Sequence, residues 1–194
     1  MKSIAFVTAI MCFAFSQNAF SQSEQDVQRN GMIFGTSYGT GYSTINLPDK
    51  NIKGLGLALD VKAGYMINPN FALLLSTNVS IYDYSGFGRD RKRDFGILAP
   101  AAQYWFNEKT WILGGIGLGG DNPVFWDIKN PDTDHLETTY YNGFGIVAAT
   151  GYEIYQRKNM SVDLKTKISY RTVEMQEGQT NGISFAFLAG INFY

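Results

Sequence analysis

The clearest chemical pattern in the sequence is a set of charged side chains at every second position of otherwise apolar or small-residue stretches. Seven residues share this spacing: Asp60, Lys62, Glu153, Asp163, Lys165, Lys167 and Arg171. Side chains alternate between the two faces of a β-strand, so the charges of each stretch fall on one face. Enclosed charges must be paired or hydrated. The pattern therefore predicts an interior charge network, with a narrow proton or ion path as the alternative.

Residues for catalysis or metal binding are few. His135 is the single histidine, and it lies in the acidic stretch "PDTDHLE". That stretch lacks the fixed ligand spacing of a calcium loop. The chain also lacks a recognisable nucleophile and base motif, a zinc spacing and a phosphate-binding loop. We expect no catalytic residue, no cofactor and no metal site, and we interpret His135 as a solvated loop residue.

Eight segments with a period of two must position the charged residues. They are roughly 31–43, 54–67, 70–84, 94–106, 110–120, 138–155, 160–173 and 182–194. In the second, Leu55, Leu57 and Leu59 share one face, and Asp60 and Lys62 lie on the other. Such alternation is typical of β-strands with two chemically different faces. Open sheet edges are costly in hydrocarbon, so the last strand should pair with the first.

The connections between these segments alternate in length. Tight polar turns are predicted at 67–70, 107–109 and 156–159, and longer links at 44–53, 85–93, 121–137 and 174–181. This wiring is typical of outer-membrane barrels. The sequence therefore predicts an all-β fold, an eight-stranded antiparallel transmembrane up-and-down β-barrel with short periplasmic turns and longer extracellular loops.

Aromatic residues, 15% of the chain, are concentrated near the predicted strand ends. One set adjoins the turns: Tyr65, Phe71, Tyr104, Trp105, Phe106, Trp111, Tyr152, Tyr155, Phe193 and Tyr194. The other adjoins the long links: Tyr38, Tyr42, Tyr82, Tyr84, Phe95, Tyr140 and Tyr141. Amphipathic rings favour the two membrane interfaces, so the sets predict two girdles. Pro100 predicts a bulge or a shorter fourth strand, because it cannot donate to the ladder.

The N-terminal residues have the pattern of an export signal. A positive residue, an apolar stretch and a small-residue cleavage site predict a signal peptide at 1–21. A periplasmic segment at 22–30 and a barrel at 31–194 would follow, which predicts the cell outer membrane as the location. A soluble lipocalin-like ligand-binding barrel also alternates. The proposed lipid faces carry no lysine, arginine or glutamate between the aromatic ends, which favours the membrane form.

With these stretches in view, the chain resembles the small outer-membrane β-barrel superfamily of OmpX-, OmpA- and OmpW-like proteins, in its Bacteroidetes-type version. The resemblance rests on "LGLALDVKAGYMINPNFALLLS", "APAAQYWFNEKTWILGGIGLG" and "FLAGINFY". It implies that the C-terminal aromatics Phe193 and Tyr194 are an assembly signal for the barrel-assembly machinery.

The expected role is structural or surface-interacting rather than that of a general diffusion porin, since an eight-stranded lumen is filled by side chains. A barrel enzyme acting on outer-membrane lipid is the alternative. Expected partners are outer-membrane lipid and lipopolysaccharide. Arginine binds phosphate well, so we interpret the cations of "GRDRKRD" as a possible lipopolysaccharide contact or a solvated loop tip: Arg89, Arg91, Lys92 and Arg93. The net charge of −1 gives no indication of nucleic acid, and we expect a monomer.

Overall fold

The protein is an eight-stranded closed barrel. The computed structural model describes residues 27–47, 51–86, 89–124, 140–175 and 178–194. The strands are β1 (Gly31–Asn46), β2 (Asn51–Asn68), β3 (Phe71–Gly86), β4 (Arg89–Trp105), β5 (Thr110–Pro123), β6 (Tyr141–Arg157), β7 (Met160–Met175) and β8 (Gly178–Phe193). Each pairs with its sequence neighbours, and β8 pairs with β1. The predicted fold class is confirmed. The predicted signal peptide at 1–21 lies outside the described residues.

The strand register places mostly apolar side chains on the outside of the barrel. Its interior, the lumen, holds small, polar and charged side chains together with an apolar cluster that includes Leu74 and Ile97. On β1, for example, Ser37 lies opposite Asp60 of β2 and Gly190 of β8, and all three face the lumen. The exposed apolar belt includes Leu55, Leu57, Leu73, Leu75, Leu98, Ile112, Ile116, Leu118, Ile146, Ile168, Phe185, Phe187 and Ile191. A soluble ligand-binding barrel requires the opposite arrangement, with polar side chains facing water. Among the described residues, no helix is long and apolar enough to cross a membrane.

One end of the barrel, which we call the turn end, carries the N-terminal segment 27–30 and the connections 69–70, 106–109 and 158–159. Asparagine side chains form two of these turns. The Asn68 side-chain oxygen accepts the Asn70 N–H at 2.9 Å, and the Asn107 side-chain oxygen accepts the Thr110 N–H at 2.7 Å. Such bonds let asparagine replace a backbone partner in a tight turn. The short turns predicted from the sequence therefore have a local cause.

At the opposite end, the loop end, the strands run further than predicted. The predicted long links 44–53, 85–93 and 174–181 shrink to 47–50, 87–88 and 176–177 between the strand bounds. The connection 124–140 between β5 and β6 stays long. The predicted bounds of three of the four links on this side are therefore wrong.

The cause of this error is an inversion of polarity at the loop end. Here Ile45, Val173 and Met175 face the interior and are buried, whereas Thr44 and Glu174 face outward. A strand that extends beyond the lipid needs polar residues outside and can bury apolar ones inside. Alternation continues, but with the two faces exchanged, so a search for apolar lipid-facing positions ends too early.

Several aromatics predicted for the girdles instead point into the lumen. Six of the predicted girdle rings are buried or partly buried on the lumen side: Trp105, Trp111, Tyr194, Tyr82, Phe95 and Tyr141. In the run of Tyr104, Trp105 and Phe106, the outer two are exposed and Trp105 is fully buried. Consecutive residues of a strand must alternate between faces. An aromatic run at a strand end therefore cannot lie wholly at the membrane interface.

Pro100 lies inside β4 without a bulge. Its pairing with Leu75 of β3 continues the regular register, and the β4–β5 register is the same on both sides of it. Pairs with β5 are interrupted at Ala99 and Pro100, as expected for a residue without an N–H. The predicted bulge or shortened strand is therefore wrong. In the facing glycine-rich stretch, a Cβ at Gly117 would overlap the Leu98 carbonyl oxygen, which indicates close packing of the wall.

Candidate functional site: the charged lumen

The structure places all seven charged residues of the alternating pattern inside the lumen, each at most 3% exposed. They belong to three clusters stacked along the barrel axis. The turn-end cluster comprises Arg29, Trp105, Glu153, Gln156 and Tyr194. The central cluster comprises Asp60, Lys62, Gln103, Trp111, Asp163, Lys165 and Lys167. The loop-end cluster comprises Tyr82, Arg93, Phe95, Asp121 and Arg171. Each cluster combines buried charges of both signs with at least one aromatic ring.

The turn-end cluster surrounds the carboxylate of Glu153. Arg29 forms an ion pair with it at 2.8 Å, the Trp105 indole donates at 2.8 Å, and the Tyr194 hydroxyl donates at 2.7 Å. The Arg29 guanidinium also lies 5.0 Å from the Trp105 ring centroid and 5.7 Å from that of Tyr194. Burial, and then the Glu153 charge, raise the pKa of the Tyr194 hydroxyl well above its usual value, so it remains a donor.

A β-bulge adds a further donor to this cluster. The β6–β7 register shifts between Glu153 and Tyr155, which leaves one unpaired residue on β6. The extra residue changes the alternation, so Gln156 faces the same carboxylate three positions later. Its amide donates to Glu153 at 2.8 Å.

The central cluster joins β2 and β7 across the lumen. The Asp60 carboxylate pairs with Lys165 and, at 2.6 Å, with Lys167, which also donates to Ser76 at 3.1 Å. Lys62 donates to Gln103 at 2.9 Å. Charge-assisted bonds of this kind hold side chains in fixed positions. The cluster has three ammonium groups and two carboxylates, counting Asp163.

The loop-end cluster surrounds the carboxylate of Asp121. Arg93 and Tyr82 each donate to it at 2.5 Å, and Arg171 forms a second ion pair with it. The Arg171 guanidinium lies 4.3 Å from the Phe95 ring centroid. Asp121 is fully buried. The sequence predicts Arg171 as a lumen residue but places Asp121 in a loop, because the predicted fifth strand ends at residue 120, whereas the inward alternation of β5 continues to Asp121.

The four cations predicted as a lipopolysaccharide contact do not share one surface. The side chains of Arg89 and Arg91 lie outside the described part of the structure. Lys92 faces outward and pairs with Asp83 at 2.6 Å. Arg93 points into the lumen and is 2% exposed. The prediction for Arg93 is therefore wrong, because its guanidinium is held inside the lumen by the buried carboxylate of Asp121.

The two C-terminal aromatics lie on opposite faces of the barrel wall. Phe193 faces outward and is 48% exposed, while Tyr194 belongs to the turn-end cluster. His135 and its acidic neighbours lie outside the described residues. Within the described residues, no group of three histidine, cysteine, aspartate or glutamate side chains is arranged to hold a metal ion. The arrangement supports filling and bracing of the lumen, because the clusters place bonded side chains across it at three heights.

Comparison with known proteins concerns the fold. No protein-family model matches the chain, and no curated protein matches it. Ail, the attachment invasion locus protein of Yersinia pestis, is 14% identical over 86% of this chain and 100% of its own, with a TM-score of 0.54. Neisserial surface protein A is 16% identical over 82% of this chain and 96% of its own, with a TM-score of 0.55.

The fold is that of a small eight-stranded outer-membrane barrel. At these identities, the likeness to Ail and Neisserial surface protein A is one of architecture alone. The resemblance to the Bacteroidetes-type version remains a prediction.

Proposed function

We propose that the protein is an exported integral outer-membrane barrel with a structural or surface-interaction role, and that it does not act as a general diffusion pore. The observation that carries the proposal is the filled lumen. Glu153, Asp60 and Asp121 each hold side chains from different strands across the interior, at three heights. A solute would have to break all three sets of buried charged bonds to pass.

The exterior supports a membrane location. Outward positions over the middle of the barrel are mostly apolar, and exposed rings such as Tyr65, Tyr104 and Tyr152 lie toward the turn end. The closed ring leaves no strand edge unpaired, as hydrocarbon requires. An exported chain whose eight strands start and finish at the turn end would place that end in the periplasm.

Conductance in planar bilayers tests the proposal. We expect the purified, folded protein to give no steady channel openings on the nanosiemens scale. Proteoliposomes that contain the protein should take up no sugars through it. A 16-stranded porin, incorporated in parallel, serves as the positive control, because barrels of that size leave an aqueous channel. Large, stable openings from the full-length barrel would contradict the proposal.

Lipopolysaccharide contact at the loop end is part of the proposed role. The β3–β4 hairpin carries Arg89, Arg91 and Lys92, and cations beyond the apolar belt are suited to lipid phosphates. The solved structure of Ail with the heparin analogue sucrose octasulfate concerns a protein of the same fold that binds a polyanion. A variant with these three residues changed to glutamine should bind lipopolysaccharide micelles more weakly, whereas Lys158→Gln at the turn end should not.

Recognition by the barrel-assembly machinery remains a proposal for the C-terminal residues. Phe193 is the candidate contact because its ring is exposed on the outer surface, whereas Tyr194 is bonded inside. The sequence supports a catalytic role less well, because the described residues contain no histidine and the one in the chain, His135, stands in an acidic stretch without a recognisable nucleophile motif.

A further inference from the structure

Two buried charges in the central cluster lack an ion-pair partner. Lys62 is 1% exposed and Asp163 is fully buried, yet neither has an oppositely charged group within ion-pair distance among the described residues. Lys62 donates to the neutral Gln103, and Asp163 accepts from the neutral Asn192 amide at 3.0 Å. Unpaired buried charges are strongly disfavoured. Their direct contacts are with neutral groups, so a further group must help to stabilise the two charges.

Polar atoms without a hydrogen-bond partner gather around the same two residues. They are two donors, Gln103 Nε2 and Trp111 Nε1, two acceptors, Asp163 Oδ1 and Asn192 Oδ1, and the Ser37 hydroxyl, which can act as either. All five side chains are at most 2% exposed. Buried polar groups are normally satisfied, so five in one region require an explanation.

The geometry shows that these atoms are neighbours. Gln103 bonds Lys62, and the Trp111 ring centroid lies 4.7 Å from the Lys62 ammonium. Two glycines, one on β1 and one on β8, leave space into which the side chains reach. A Cβ at Gly190 would overlap both Ser37 Oγ and Asp163 Oδ1, and one at Gly35 would overlap Asn192 Oδ1 and the Lys62 side chain.

We propose that ordered water molecules occupy this part of the lumen and connect the Lys62 ammonium to the Asp163 carboxylate. The free donors lie beside Lys62, one free acceptor belongs to Asp163, and Asn192 carries another between these two residues. Water can serve both kinds. An anion would satisfy the donors and face the carboxylate unfavourably. A metal cation would satisfy the acceptors and face the ammonium unfavourably. Buried waters typically make about three hydrogen bonds to such otherwise unsatisfied groups.

The two buried indoles provide a matched test. Trp111 Nε1 has no protein partner, whereas Trp105 Nε1 donates to Glu153. The chain has one further tryptophan, Trp126. In the Trp126→Phe variant, the NMR spectrum of the folded barrel therefore contains only these two indole N–H signals. We expect magnetisation transfer from water to the Trp111 signal. Deuterium exchange at Trp111 should be on the order of tenfold faster than at Trp105, because a tenfold difference corresponds to the free energy of about one hydrogen bond. Absence of transfer at Trp111, with exchange as slow as at Trp105, would overturn the proposal.

A second measurement tests the pairing through water. Stability is measured from the urea unfolding midpoints of Lys62→Met, Asp163→Asn and the double variant. We expect the double variant to lose less stability than the sum of the losses in the two single variants. The control cycle, Lys62→Met with Asp60→Asn, should be closer to additive, because Asp60 has its own lysine partners. Additive losses in the first cycle would overturn the proposal. A saturating shift of the Trp111 signal when gluconate is replaced by chloride would also overturn it, by identifying an anion as the occupant.

Discussion

The two ends of the lumen are closed by clusters of similar chemistry but different construction. At the loop end, Asp121 forms ion pairs with Arg93 and Arg171, which belong to strands β4 and β7 of the closed ring. At the turn end, Glu153 forms an ion pair with Arg29, which precedes β1. The segment that carries Arg29 is attached by the Gln28 N–H, which donates to the Lys158 carbonyl at 2.7 Å.

This difference shows how firmly each end should be closed. The loop-end arginines are fixed by strands that cannot move without opening the ring. Arg29 lies on a segment with few backbone bonds to the barrel, so it can leave Glu153 without breaking a strand ladder. The loop-end cluster is therefore part of the wall, and the turn-end cluster is a closure added to it. Four variants test this contrast, from the largest expected loss of stability to the smallest.

Asp121→Asn should cause the largest loss. The change leaves two buried guanidinium groups without their carboxylate, and breaking a buried ion pair on one side typically costs about 3–5 kcal/mol. Urea unfolding of the refolded barrel, followed by heat-modifiable gel mobility, measures it. Asp83→Asn is the matched control, since Asp83 pairs with Lys92 on the outer surface and should lose little. Equal losses for the two variants would contradict the assignment of Asp121 to the wall.

Arg29→Ala should cost less, about 1–3 kcal/mol, because three neutral donors still reach the Glu153 carboxylate. Its effect should also be local. Tryptophan fluorescence should change through Trp105, on whose ring Arg29 lies, before the strands unfold. Arg157→Ala, an exposed arginine at the same end, serves as the control. A loss as large as that of Asp121→Asn would show that both ends are equally built into the wall.

Tyr194→Phe removes one donor to Glu153 and should cost about 0.5–1.5 kcal/mol in the same assay. The ring contact with Trp105, at 6.1 Å between centroids, is retained. Amounts of folded barrel in cell membranes should therefore follow this modest loss of stability.

Phe193→Ala should have the smallest effect on the refolded barrel, because the ring lies on the outer surface. If Phe193 is the assembly signal, this variant should nevertheless reach the membrane in lower amounts in cells than Tyr194→Phe. Equal amounts of the two variants in membranes would remove the distinction between the outward and the inward aromatic.

The alternation in the sequence was sufficient to predict the wall. Along β7, apolar residues such as Leu164 face outward, and Asp163, Lys165 and Lys167 face inward, as the period of two requires. A shift of one residue would expose every charge to lipid, so the register is strongly determined by burial. The same reasoning identified seven lumen residues from the sequence alone.

The ends of the lumen were not predictable in this way. Arg93 and Asp121 continue the inward alternation of their strands, but the outward face there is polar, so the sequence pattern predicts loops. Arg29 belongs to no strand, and its contact with Glu153 depends on a long-range meeting of chain segments that a periodic pattern does not encode. The residue type of Trp105 predicts the membrane interface, whereas strand alternation between Tyr104 and Phe106 turns its ring inward.

The placement of charges on β7 has a consequence for how the barrel folds. Lys165 and Lys167 pair with a carboxylate on β2, more than a hundred residues earlier in the chain. Arg171 pairs with a carboxylate on β5. A β7 strand that entered the bilayer before these partners were in place would carry bare charges into hydrocarbon, at a high cost for each. Strand-by-strand insertion is therefore disfavoured. Charge neutralisation, ring closure and membrane crossing must occur together, in one slow cooperative step dominated by contacts distant in sequence.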